Sequence, residues 1–131
     1  MTERLLPYLL VGIGGFLGAN ARFIFSRWVG NLASTRFPLG TFLINIIGSF
    51  LLGVIATLVS QRVAANGDQV RLALGVGFLG AFTTFSTFEF ESHALMEEGS
   101  WMIAFANMFL SLLLGLLAVR LGIVIARQWW P

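Results

Sequence analysis

Cysteine and lysine are absent from this 131-residue chain, and charged side chains of any kind make up only 11% of it. Without a thiol, disulfides, thiolate metal sites and thiol catalysis are excluded, and nothing follows about redox compartment. Soluble domains carry about 25% charged residues. The deficit here, together with 57% hydrophobic residues and a mean hydropathy of +0.87, places the chain in lipid. Long polar segments are missing too. Four bilayer-crossing helices of about 20 residues each use most of the length, which leaves no room for a separate catalytic domain. The basic pI of about 10.5 comes from eight arginines. They are scattered among helix ends and short loops, where such side chains snorkel to the headgroups. They are therefore read as membrane anchors and not as a nucleic-acid surface.

Four spans are predicted, at approximately residues 5–25, 40–60, 72–96 and 101–125, in one all-α integral membrane domain covering 1–131. The first carries Gly12, Gly14, Gly15 and Gly18, with Arg22 and Arg27 at its far end. Arg4 and the small residues Ala19-Asn20-Ala21 imitate a cleavable signal peptide, but the run is expected to be retained. A loop with Arg36 and Pro38 leads to the second span, and Arg62 to Arg71, containing Asn66-Gly67-Asp68, reads as a polar turn. Trp101, Trp129 and Trp130 fit the interfacial aromatic belt. An even number of spans puts both termini on one side. That side holds Arg4, Arg62, Arg71 and Arg127, and Arg120 if it snorkels, against Arg22, Arg27 and Arg36 on the other. So weak a bias predicts insertion in both orientations, and oppositely inserted copies could pair as an antiparallel dimer.

The third apolar stretch differs from the others. Gly75, Gly77 and Gly80 precede the hydroxyl-rich Thr83-Thr84-Phe85-Ser86-Thr87-Phe88. Gly75-Val76-Gly77-Phe78-Leu79-Gly80 matches the dinucleotide fingerprint, but that motif needs a strand before it and a βαβ unit around it, which no membrane span provides. The glycines instead predict a helix broken near Gly80 at mid-membrane depth. A break frees N–H and C=O groups that hydrocarbon cannot satisfy, so it is tolerated beside protein, water or an ion. Freed carbonyls can coordinate a cation, and the following half-helix favours an anion at its N-terminus. An unbroken helix using its glycines for close packing is the alternative.

Around the expected break the polar residues are uncharged. Asn45 and Ser49 stand four apart on one helical face, as do Asn107 and Ser111. Amides and hydroxyls can replace an ion's hydration shell without trapping it, or they can simply bond helices together. Phe85 and Phe88 share a face; their positive ring edges could hold an anion, or the rings could be ordinary packing. Arg22 either draws anions into a vestibule or snorkels. Glu89, Glu91 and His93 have no zinc-site spacing, and Glu91 falls near the helix exit, suited to lining a mouth. Gly14-x-x-x-Gly18 and Ser111-x-x-x-Gly115 are small-residue patterns for close helix contact.

Gly18 with Arg22, Gly40-Thr41-Phe42-Leu43-Ile44-Asn45 with Gly48, and the run from Gly77 to Phe88 together resemble the Fluc/CrcB family of fluoride channels over essentially the whole chain. The resemblance implies no enzymatic activity. It implies an antiparallel, dual-topology homodimer in the cell membrane of a microbe, passive fluoride export, and a structural sodium ion at the dimer centre. Sodium would be held by the backbone carbonyls of Gly80 and Thr83 from both subunits. The pore would be lined by Asn45, Phe85, Ser86, Thr87, Phe88 and Ser111, with Arg22 and Glu91 in the vestibules. The chain departs from the family pattern at Glu89, Asn107 and Gly115, so the part of the polar track on the last helix carries over least. A proton-coupled multidrug exporter would need an acidic residue in the first span, where there is none; a structural subunit of a larger complex would pass no ion on its own.

Overall fold

The computed structural model describes residues 2–61 and 66–129. Arg62 and Trp130 lie outside the described residues, as does the side chain of Trp129. All regular structure among the described residues is helical: α1 (Thr2–Leu32), α2 (Leu39–Gln61), α3 (Gly67–Val70), a π-wound stretch (Arg71–Leu79), α4 (Gly80–Phe82), α5 (Phe85–Glu97) and α6 (Trp101–Trp129). Four segments, Arg4–Leu32, Leu39–Ser60, Gly67–Glu97 and Trp101–Gln128, are long and apolar enough to cross a bilayer. The chain is a multi-pass membrane protein, with α3 to α5 forming the third span.

Each span is longer than its apolar run suggested. α1 continues to Leu32, so Arg22 and Arg27 lie within the helix and do not mark its end; Arg27 sits over the Phe23 ring at 5.6 Å. The polar turn before the third span is also shorter than expected. Gly67 already opens α3, and Arg71 lies in the π-wound stretch with its Nε 3.5 Å from Asp68 Oδ1. Gly99 adopts φ 77°, a left-handed conformation open to glycine. It lets the chain reverse tightly between α5 and α6, where the Ser100 N–H donates to Leu95 O at 2.8 Å.

Small residues decide which helices meet. A Cβ at Gly14 would collide with Ala73 O, and one at Gly18 with Phe78 O, so the Gly14-x-x-x-Gly18 pattern brings α1 into backbone contact with the π-wound stretch. On α6, the close approach falls elsewhere than predicted. Cβ atoms at Gly53 and Gly122 would strike Val119 O and Phe50 O, which fixes α2 against α6. A Cβ at Gly115 would meet only Ser49 Oγ, at 3.7 Å. The core consists of Ile44, Leu79 and Phe82, with Ala21, Phe25, Leu51, Ile55 and Phe78 packed around it. Phe78 stacks on Phe82 with centroids 5.8 Å apart, and Phe25 meets Phe82 edge-on.

The third span is broken near Gly80, as expected, with the opening just beyond that residue. Gly80 is helical (φ −61°, ψ −34°), and the chain straightens at Thr83 (φ −79°, ψ 159°) and Thr84 (φ −151°, ψ 117°). β-Branched threonine suits extended backbone, and the half-spans then lean on different neighbours: the π-wound stretch and α4 on α1, α5 on α6. Gly18→Ala, which drives a methyl into Phe78 O, is expected to destabilise the protein by about 1–3 kcal/mol. Gly12→Ala, at a position with nothing within 4 Å, adds no clash and should keep or raise the midpoint, since alanine favours a helix interior over glycine. Thermal unfolding in detergent followed by circular dichroism makes the comparison.

Candidate functional site

The extended pair Thr83–Thr84 ends one helix and begins another, so two sets of backbone groups need partners. Asn45 on α2 supplies one set. Its Nδ2 donates to Thr84 O at 3.0 Å, and its Oδ1 accepts from the Thr84 N–H at 2.9 Å. The amide thus replaces, for one residue, the hydrogen bonding of a continuous helix. Thr84 then caps α5: its Oγ1 accepts from the Thr87 N–H at 3.3 Å and donates to Thr87 Oγ1 at 3.0 Å. Gly48, one turn after Asn45, leaves the space that the Thr83 methyl fills. The last helical bond before the break runs from the Thr83 N–H to Leu79 O, so the carbonyls from Gly80 to Thr83 lie between the two helical ladders. The α5 N-terminus faces the same gap and carries partial positive charge.

A cavity of about 380 Å³ opens at this break, lined by Asn45, Ser49, Gly80, Thr83, Phe85, Phe88 and Ser111 among others. Among the described residues, no charged side chain lines it. Phe85 is 74% exposed, and its ring lies 5.9 Å from that of Phe88, tilted by 43°. Ser111 on α6 donates to Asn107 Oδ1 at 3.3 Å, and Asn107 Nδ2 donates to Ser92 Oγ at 2.9 Å. Asn107 is 1% exposed; it ties α5 to α6 and orients the Ser111 hydroxyl from within the protein.

A second cavity, of about 340 Å³, lies between the C-terminal part of α1, the loop to α2 and α5. Ser26, Thr41, Thr87 and Glu91 line it. Thr41 donates to Glu91 Oε1 at 2.9 Å, while Oε2 is shielded and has no hydrogen-bond partner among the described residues. The candidate residues therefore separate. Asn45, Gly80, Thr83, Phe85, Phe88 and Ser111 share the first cavity, and Thr87 and Glu91 share the second. Ser86 is exposed on α5 and Arg22 half-buried on α1; neither lines either of these two cavities. Sequence reasoning passed over Thr84 and Ser92. Threonine's preference for the N-cap could have marked Thr84, whereas Ser92 and Asn107 are joined only by the packing of α5 on α6.

Residues 9–123 match the family profile described as CrcB-like protein, Camphor Resistance (CrcB). The chain belongs to this family. Among its relatives, the fluoride-specific ion channel FluC of Solibacter usitatus is 41% identical, with 94% of this chain and 100% of the relative covered. The fluoride-specific ion channel FluC 2 of Moorella thermoacetica is 46% identical over 89% of this chain and 93% of the relative. The FluC 3 protein of Methanosarcina barkeri is 45% identical over 90% and 88%. CrcB-like relatives are thus named as ion channels and not as enzymes, in keeping with the absence of any reaction from the sequence reading.

In this CrcB-like chain, Asn45→Leu orphans the N–H of Thr84, at about 1–3 kcal/mol, and removes the second bond to the Thr84 C=O, which as the N-cap carbonyl of α5 keeps its helical partner. Thr84→Val removes a helix cap, worth about 1 kcal/mol. Both variants should unfold at lower temperature than wild type, with Asn45→Leu the more affected, while Asn20→Ala on the exposed face of α1 should match wild type.

Proposed function

We propose that this chain forms a fluoride-selective channel, an antiparallel homodimer that lets fluoride leave a microbial cytoplasm down its electrochemical gradient. Fluoride enters cells as the weak acid and ionises inside, so a passive anion path is enough to relieve its accumulation. The observation that carries this reading is the uncharged cavity at the broken third span, where an amide, hydroxyls, two phenylalanine rings and a helix N-terminus converge. The names of the relatives give the ion. A small, strongly hydrated anion needs dense donors in a tight passage, and neutral donors release it again.

In this reading Asn45, Phe85, Ser86, Thr87, Phe88 and Ser111 line the path. Ser111 meets the ion by turning its hydroxyl away from Asn107, while Arg22 and Glu91 stand in the vestibules. Ser86, exposed in the single chain, would face the path only in the assembled dimer. A sodium ion would be held by the carbonyl oxygens of Gly80 and Thr83 from both subunits. The donor set fits: hard main-chain oxygens beyond the last helical hydrogen bond, with no acidic side chain lining the same cavity. Bound sodium supplies fixed positive charge at the dimer centre. Thr83, extended, ends the helix beside these oxygens.

Purified protein reconstituted into liposomes is expected to release fluoride rapidly under a gradient and to retain chloride under the same gradient; equal passage of both would defeat the selective-channel reading. Phe85→Ile and Phe88→Ile should each suppress fluoride efflux while the dimer still assembles, and unchanged efflux would remove the rings from the path.

A further inference from the structure

The polar groups around the first cavity differ in whether their protons are already committed. Thr83 Oγ1 donates to Leu79 O, Thr84 Oγ1 to Thr87 Oγ1, and Ser111 Oγ to Asn107 Oδ1. A hydroxyl has one proton, so each of these three must break a bond to protein before it can donate to an anion. Asn45 bonds Thr84 O through Nδ2, which leaves one of its two amide hydrogens uncommitted. Ser49 lines the same cavity, half-buried, and its hydroxyl makes no hydrogen bond among the described residues. Hydroxyls within the helices here can turn back on the carbonyl four residues earlier, as those of Thr57 and Thr83 do. Ser49 does not.

The space in front of Ser49 is open because α6 presents a glycine there. Apart from α6's own backbone, Ser49 Oγ is the sole atom among the described residues within 4 Å of a Cβ built at Gly115, at 3.7 Å. Asn45 and Ser49 stand one turn apart on α2, so their free protons are neighbours on one face.

We infer that Ser49 is a direct anion ligand, forming with the second amide hydrogen of Asn45 a two-donor step on α2 that Gly115 keeps open. The inference rests on the reading of this cavity as a fluoride path. A hydroxyl proton directed at an anion makes a short, charge-assisted hydrogen bond. Ser49 offers one without first breaking a bond to protein, unlike Thr83, Thr84 and Ser111.

The test is fluoride efflux from liposomes as a function of fluoride concentration for wild type, Ser49→Ala, Ser49→Thr and Gly115→Ala, with assembly checked by gel filtration. Ser49→Ala should lower efflux at low fluoride by about tenfold or more, the loss expected for one hydrogen bond to a charged group, and should raise the half-saturating concentration. Ser49→Thr keeps the hydroxyl and should restore most of the efflux. Gly115→Ala, which narrows the space in front of Ser49, should reduce efflux in an assembled protein. Wild-type efflux and half-saturation in Ser49→Ala would overturn the ligand role, and so would equal losses in the alanine and threonine variants. No fluoride efflux from wild type would instead overturn the channel reading and the ligand role together.

Discussion

The paired hydrogen bonds between the Asn45 amide and the backbone of Thr84 are the constraint on which the rest of the site depends. In hydrocarbon an unpaired N–H or C=O is costly, so a span that straightens for two residues needs a partner at that depth. Asn45 fits because its side chain carries both a donor and an acceptor in one plane. Aspartate would lack the donor and leucine would lack both. With Asn45 in place, Thr84 can cap α5, Phe85 and Phe88 can open onto the cavity, and the carbonyls from Gly80 to Thr83 can remain free of the helical ladder.

The glycines then act at one remove from the site. Gly14 and Gly18 let α1 touch the π-wound stretch, while Gly53 and Gly122 let α2 touch α6. With backbones this close, the two halves of the third span are held by different partners, and the gap between them becomes a fixed feature of the packing. Asn107 closes the arrangement on the other side. Buried between Ser92 and Ser111, it joins α5 to α6 by side-chain hydrogen bonds, an economical join where most neighbouring groups are apolar.

Much of this was legible in the residues. Four long apolar runs with few charges leave little choice but four spans, and glycines followed by a hydroxyl-rich hexapeptide announce an interrupted third helix. The region of the break was legible, but not the residues that open. Glycine at 80 is the local weak point, yet helical geometry persists there because close packing on α1 supports it, and the chain opens at Thr83 and Thr84, where Asn45 offers bonds from 39 residues away in sequence. The small-residue pattern at Ser111 and Gly115 misled for a related reason. Spacing identifies a face but not what approaches it, and α2 comes closest at Gly53 and Gly122. The π winding of residues 71–79 left no trace in hydrophobic periodicity, since so apolar a stretch has almost no polar face to mark its phase. Asn45, Phe85, Phe88 and Ser111 do gather in one cavity, whereas the position of Ser86 outside it follows from which way α5 turns after its cap.

The most direct measurement is solid-state NMR of the protein in bilayers, reading the Cα and Cβ shifts of Thr83 and Thr84 and the contact between the Asn45 side-chain amide and the Thr84 backbone nitrogen. Extended shifts at both threonines together with that contact are the predicted result. Helical shifts running unbroken from Leu79 to Phe88 would contradict it.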